Sequence, residues 1–144
     1  FYEDAVRTSR VTPYFVRTEG ISGCCTVLIS PDGERTMATF LGRAATLEAA
    51  EISDETLSKY DLVYIEGYLI SNEKLFLPIL ERANKLGVKV ALDLSNFNIV
   101  KGFNELWPEV IPQYVHILFS NESEAEAYTG IPASEAVRKI SEEV

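Results

Sequence analysis

Residues 116–130, with the sequence HILFSNESEAEAYTG, decide the fold that this chain is expected to adopt. An apolar run formed by Val115, Ile117, Leu118 and Phe119 predicts a short buried strand. Asn121 can cap the helix that follows, and Gly130 can end that helix in a left-handed conformation. In an open α/β sheet, ligands bind where strands turn into helices at the carboxyl edge. This stretch is therefore the first candidate for a functional site.

The composition is that of one globular domain with a negative charge. The chain has 144 residues, of which 47% are hydrophobic and 24% are charged. Its formal net charge of −9 argues against nucleic-acid binding, which needs clustered Lys and Arg against the phosphates. Binding of a single nucleotide needs only a few local hydrogen-bond donors, so it is compatible with this negative net charge.

Cysteine usage and hydropathy predict a reduced, cytoplasmic protein. Cys24 and Cys25 are adjacent, and neighbouring strand residues point to opposite faces, so a disulfide between them is not expected. No apolar run approaches the ~20 residues of a membrane span, and no signal peptide is visible. The sequence does not begin with Met, and helical patterns at 1–9 and 134–144 run to both ends. We therefore expect the chain to be part of a longer protein.

The first third of the chain is β-rich and predicts a small antiparallel unit. The turn 30–34 contains Pro31 followed by Asp-Gly, which suits a tight reversal between strands. No long helix interrupts residues 11–41, so they are expected to form a flap beside the main body. Its predicted strands are 11–17, 24–29 and 35–40.

From residue 47 onwards, helical and strand patterns alternate. This order predicts βαβ units and a parallel sheet whose apolar strands are buried by helices on both faces. Ser53 or Asp54 can cap the first helix and Ser71 the second, whereas Pro108 and Pro112 are expected to break and stop the third. The predicted strands are 62–66, 88–94 and 116–119, and the predicted helices are 47–59, 71–87, 98–111, 122–130 and 134–144.

Three consecutive strands deliver acidic or amide groups to one edge of this sheet. Glu66, Asp93, and Asn121 with Glu124 follow the three strands in order. Such groups can hold Mg²⁺, directly or through water, or bind sugar hydroxyls. Each also has a structural interpretation: Glu66 as an exposed loop residue, Asp93 as an acceptor in its own turn, and the last two as a capping box.

Other polar residues, and motifs that the sequence lacks, limit the classes of function that the chain could have. His116 begins a strand at the opposite edge and is interpreted as structural, while Arg35 is by default a solvated charge. The sequence has no Walker-type glycine-rich loop, no GxGxxG and no GxSxG. P-loop hydrolysis, dinucleotide binding and serine hydrolysis are therefore unsupported.

The chain resembles the middle portion of the ribokinase-like, or PfkB, carbohydrate and nucleoside kinases over nearly all of its length. The most specific match is residues 120–130, SNESEAEAYTG, which look like the family's Asn-x-x-Glu motif. The amino-acid sequences of four supporting segments are similar to those of adenosine-kinase-like and bacterial sugar-kinase-like members. These segments are GCCTVLI (23–29), DGERTM (32–37), YIEGY (64–68) and DLS (93–95).

The resemblance implies an ATP- and Mg²⁺-dependent phosphotransferase with an α/β fold, in which a parallel sheet flanked by helices carries a small antiparallel β lid. Residues 11–41 would be the lid and residues 47–144 the first part of the body. Asn121 and Glu124 would contact the phosphates of ATP and Mg²⁺, Glu124 through water. Asp93 and Arg35 would lie near the transferred phosphate, and Glu66 would contact the sugar or nucleoside.

Two family signatures are absent from the chain: an N-terminal Gly-Gly pair and a C-terminal Gly-Ala-Gly-Asp segment that supplies the anion hole and catalytic base. The resemblance therefore assigns no catalytic residue to these 144 residues, which are expected to be inactive alone. The competing hypothesis is a non-catalytic α/β module or truncation product that assembles, for example as a homodimer, through its lid. An unrelated flavodoxin-like or Rossmann-like binding domain is a third alternative.

Overall fold

The computed structural model describes residues 2–144, and these form two compact units, residues 2–47 and Glu48–Val144. Phe1, at which the predicted first helix was expected to begin, lies outside the described residues. Within the described part, that helix is present as α1, Tyr2–Thr8. Glu3 in its first turn pairs with Arg7 and Arg17, and the hydrogen bond from Arg7 is the main reason that the pKa of Glu3 is lowered.

The first unit contains an antiparallel pair of strands, β1 (Ser22–Ile29) and β2 (Arg35–Gly42). Ser30 and Glu34 close the turn between them through the Ser30 N–H, which donates to the Glu34 carbonyl at 3.0 Å. Gly33 supplies the required positive φ of 88°, as the Asp-Gly signal predicts. The predicted strand 11–17 is wrong: this segment pairs with no strand among the described residues, and Pro13 offers no N–H to a ladder.

The second unit is built on a parallel sheet in the order β3–β4–β5, confirming the predicted α/β class. The predicted helix 47–59 is reduced to a 3-10 turn, Ala49–Glu51, and a short helix because the backbone at Ile52 is extended. The strands are β3 (Leu62–Glu66), β4 (Lys89–Asp93) and β5 (Ile117–Phe119). The helices are α2 (Asp54–Leu57), α3 (Phe76–Lys85), α4 (Phe97–Gly102), α5 (Trp107–Tyr114), α6 (Glu122–Thr129) and α7 (Ala133–Ile140).

Caps explain some helix boundaries and correct others. Ser53 caps α2 as predicted, accepting from the Thr56 N–H at 3.1 Å. Ser71 does not cap α3, because it belongs to a preceding 3-10 turn and donates instead to the Tyr68 carbonyl at 3.1 Å. Asn96 caps α4 by accepting from the Asn98 N–H at 2.8 Å.

The helical segment after β4 breaks at residues 103–106, not at the predicted proline. Pro108 lies in the first turn of α5, where a missing N–H costs nothing. Pro112 lies inside α5 and does not end it; the helix continues to Tyr114. The prolines therefore predicted a helix interruption in the correct part of the chain, but they did not predict the residues at which the helix breaks.

One face of the parallel sheet carries the core of the second unit. Val90 and Leu92 of β4 are fully buried, as are Leu80 of α3 and Trp107 of α5. The other face is exposed on the two outer strands: Tyr64 of β3 and Phe119 of β5 are 52% and 48% accessible, and their rings lie 6.0 Å apart. Ala91 of the central strand, in register with Tyr64, is buried. The prediction that the strands are buried on both faces is therefore confirmed for the central strand β4 and wrong for β3 and β5.

Candidate functional site at the carboxyl edge of the sheet

The strand register brings two of the predicted acidic residues together. Glu66 at the end of β3 pairs with Asp93 at the end of β4, and Asp93 pairs with Phe119 of β5. Adjacent strands lie about 4.8 Å apart, so the two carboxylates occupy neighbouring positions at one edge. Glu66 is exposed and Asp93 is half-buried.

The Asp93 carboxylate is held by a donor on each oxygen. Tyr64 Oη donates to Asp93 Oδ2 at 3.1 Å, and the Ser95 N–H donates to Asp93 Oδ1 at 2.7 Å. The pKa of Tyr64 is raised, first by loss of water around the hydroxyl and then by its hydrogen bond to the Asp93 carboxylate. The Asp93 carboxylate is therefore a fixed hydrogen-bond acceptor. Its bond from the Ser95 N–H is the acceptor role within its own turn that its position in the sequence predicts.

Ser95 connects the loops that follow β3 and β4. The Gly67 N–H donates to Ser95 Oγ at 2.8 Å, and Tyr68 Oη donates to the Ser95 carbonyl at 3.2 Å. The backbone at Gly67 is close-packed, since a Cβ there would lie 2.7 Å from the Asp93 carbonyl oxygen. Sequence reasoning assigned no role to Ser95, Tyr64 or Tyr68, and only their presence in the family-like segments pointed to them.

Asn121 and Glu124 form a complete capping box at the start of α6, as their spacing predicts. Asn121 Oδ1 accepts from the Glu124 N–H at 3.0 Å. In return, Glu124 Oε2 accepts from the Asn121 N–H at 2.9 Å, and Glu124 Oε1 accepts from Asn121 Nδ2 at 2.8 Å. Glu124 is only 4% exposed, so these bonds satisfy a nearly buried carboxylate.

The described residues form no all-protein cage for Mg²⁺, an ion that proteins usually bind through one or two carboxylates together with water and substrate phosphates. No group of three or more His, Cys, Asp or Glu side chains among residues 2–144 is arranged to hold a metal ion. The carboxylate oxygens of Glu124 and Asp93 already accept hydrogen bonds from protein donors. The contacts to Mg²⁺ and the ATP phosphates predicted for Asn121, Glu124, Asp93 and Arg35 stay predictions.

The remaining predicted positions lie elsewhere. Arg35 begins β2 in the first unit, opposite Ile29, and is exposed. His116 precedes β5 at the amino-terminal edge, where its Nδ1 accepts from the Val90 N–H at 3.3 Å, in keeping with a structural role. Cys24 and Cys25 are both free thiols. Among residues 2–144, none of the helices has the length and apolar character needed to span a lipid bilayer.

The fold agrees with comparisons to known proteins. The model of the pfkB family of carbohydrate kinases matches residues 1–144, so the chain belongs to this family. Guanosine-inosine kinase of Escherichia coli K12 is 29% identical over 123 residues, covering 81% of this chain and 28% of the relative. Adenosine kinase of Schizophyllum commune is 31% identical over 130 residues, covering 83% of this chain and 37% of the relative.

A solved structure shows the same fold. The probable sugar kinase of Rhizobium etli CFN 42 superposes with a TM-score of 0.86 at 22% identity, covering 99% of this chain and 45% of that protein. This chain thus spans between about a quarter and a half of the length of the relatives that it matches.

Proposed function

We propose that these residues belong to an ATP-dependent kinase that phosphorylates a hydroxymethyl group of a nucleoside or sugar. The observation that carries the proposal is the sheet edge itself, where Glu66 and Asp93 lie side by side in a chain of the pfkB family. The named relatives act on guanosine, inosine and adenosine, which favours a nucleoside. In the same proposal, residues 11–41 form a lid and residues 47–144 the first part of the body.

In this proposal, each edge residue has a separate task. Exposed Glu66 accepts hydrogen bonds from substrate hydroxyls, and Asp93 stays fixed by Tyr64 and Ser95. The amino terminus of α6 favours an anion, so Asn121 and Glu124 lie on the phosphate side. Arg35 approaches the transferred phosphate.

The reaction requires one exchange of bonds at phosphorus. The hydroxymethyl oxygen forms a bond to the γ-phosphorus of ATP, the bond from that phosphorus to ADP breaks, and the hydroxyl proton leaves to a base. We assign the base to none of these 144 residues. Positioning of the two substrates is the contribution that this chain makes.

The test uses purified full-length protein that contains these residues, with ATP, Mg²⁺ and a panel of purine nucleosides and pentoses. Phosphorylated product, identified by mass spectrometry, is expected with at least one nucleoside. Glu66→Gln should raise KM for that nucleoside about 10-fold and leave KM for ATP unchanged, because a hydroxyl contact to a charged acceptor is weakened. ATP turnover that depends on no member of the panel would contradict the proposal.

A non-catalytic assembly through the β1–β2 ribbon is the second candidate function. Its support is the exposed apolar surface of the ribbon, including Leu28, Met37 and Phe40 at 61%, 58% and 54% accessibility. Isolated two-stranded ribbons are marginally stable and gain from a partner. Light scattering of the 144-residue chain should show a dimer if this candidate is correct, and a strict monomer at high concentration would reject it.

A further inference from the structure

Ser95 has a backbone conformation that its side chain does not favour. Its φ is +67°, in the left-handed region where Gly, Asn and Asp are the usual residues. The residue directly follows buried Leu94 at the edge where Glu66 and Asp93 meet. A strained residue at such a place persists only where surrounding contacts impose it, and it points to a functional role.

The contacts of Ser95 account for the strain. Its N–H donates to Asp93 Oδ1 at 2.7 Å, and its carbonyl accepts from Tyr68 Oη at 3.2 Å. Its Oγ accepts from the Gly67 N–H at 2.8 Å and donates to the Asp93 carbonyl at 3.2 Å. The backbone groups and the hydroxyl of one residue thus join the loop after β3 to the loop after β4.

The Ser95 hydroxyl accepts a hydrogen bond that glycine, the residue best suited to this left-handed backbone conformation, could not accept. Gly67 is buried, and its N–H is satisfied by Ser95 Oγ. Glycine at position 95 would remove the strain but leave that buried donor without its acceptor, which is costly. The identity of the side chain is therefore explained by the loop connection and not by the local backbone.

We propose that Ser95 is a positioning residue that fixes the Glu66–Tyr68 loop against Asp93 and so sets the geometry of the site for substrate hydroxyls. This inference rests on the proposed kinase function, because Glu66 and Asp93 are the groups that it aligns. Ser95 acts through those groups and through Tyr68. It is not assigned a contact with ATP.

The test compares Ser95→Ala and Ser95→Gly in the full-length kinase, with Ser58→Ala as the matched control. Ser58 donates only to the Glu55 carbonyl on the exposed end of α2. Both Ser95 variants should raise KM for the nucleoside roughly 10-fold with KM for ATP unchanged, because either change frees the Gly67 loop. Amide exchange of Gly67, followed by NMR in the 144-residue chain, should accelerate in both variants and not in the control.

The outcomes separate the possibilities. If Ser95 serves stability alone, Ser95→Gly will keep the wild-type KM, because it relieves the positive φ, and the inference is overturned. Unchanged Gly67 exchange in both variants overturns the loop connection itself. If the wild-type full-length protein phosphorylates no nucleoside or sugar, the proposed function is rejected before any variant is measured. The substrate-positioning role of Ser95 is then rejected as well.

Discussion

At the scale of single residues, Glu124 shows how hydrogen bonds from one neighbouring residue can satisfy a nearly buried carboxylate. Its two oxygens accept from two different N–H groups of Asn121, one on the backbone and one on the side chain. Hydrogen bonds to a charged acceptor offset much of the cost of removing it from water. The cap is thus a complete structural unit, and any contact to phosphate would be an additional role.

Glu124→Gln should destabilise the second unit by about 1–2 kcal/mol, as measured by urea denaturation of the 144-residue chain. The reason is geometric, since glutamine replaces one acceptor oxygen by an NH₂ group that faces a donor of Asn121. Glu122→Gln is the matched control, because Glu122 lies in the same helical turn and is exposed. Equal midpoints for the two variants would contradict this account of the cap.

Gly67 is a second single-residue constraint. A Cβ at this position would lie 2.7 Å from the Asp93 carbonyl oxygen and 2.8 Å from the Leu94 carbonyl oxygen. Gly67→Ala should therefore cost roughly 2 kcal/mol or more of unfolding free energy, because backbone must move. Gly102→Ala, at the end of α4 with open space around it, should instead stabilise by about 0.5–1 kcal/mol. Thermal denaturation of both variants checks the opposite signs.

At the scale of elements, α3 is fixed along one side and at its carboxyl end. Phe76, Ile79, Leu80 and Ala83 form its buried stripe, as the spacing predicts. Phe76 meets Trp107 of α5 edge to face, with ring centroids 6.0 Å apart. Gly87, with φ of 72°, lets the chain turn from α3 into β4. The hydrophobic pattern therefore specified this helix, apart from its cap.

Arg82 of α3 holds the segment before β3 by a contact that the pattern does not show. Its guanidinium donates to the carbonyls of Ala49 and Ile52, and its Nε donates to Asp54 Oδ1 at 2.8 Å. The Ala49 carbonyl also accepts the 3-10 hydrogen bond of the Ile52 N–H at 3.1 Å, so Arg82 adds a second donor there and ties the irregular segment to α3. A planar guanidinium is needed to reach these acceptors together.

Arg82→Lys should cost about 1–2 kcal/mol of stability, because one ammonium group cannot replace the forked set of donors. The reverse exchange Lys85→Arg, on the exposed side of the same helix, should change the stability by less than about 0.5 kcal/mol. Urea denaturation of the two variants provides the comparison. A harmless Arg82→Lys would show that the charge alone holds the segment.

At the scale of the whole molecule, we propose that the sheet edge is one part of a kinase site. The chain covers 28% and 37% of the two curated relatives, and we assign its residues to positioning and not to proton transfer. The exposed sheet face with Tyr64 and Phe119 also differs from ordinary parallel sheets, which are covered on both sides. Both observations support the proposal that further polypeptide completes the protein.

The 144-residue chain, shown to be intact by mass spectrometry, should not convert ATP to ADP in a substrate-dependent manner. Phosphoryl transfer needs charge stabilisation and a catalytic base, and we assign the base to none of these residues. A coupled ADP assay with adenosine, guanosine, inosine and ribose measures this directly. Substrate-dependent turnover by the pure chain would show that the active site is complete within it.

The sequence by itself determined the α/β class, the three parallel strands and the cap at Asn121, because period, strand length and capping chemistry are local properties. The motif around Asn121 also identified the family. Tertiary structure decided where the helices break, that residues 11–17 form no strand, and that one face of the sheet is exposed on its two outer strands. It alone revealed the Ser95 connection, because contacts between Asp93, Ser95 and Gly67 depend on two loops that are distant in sequence and meet only when β3 and β4 pair.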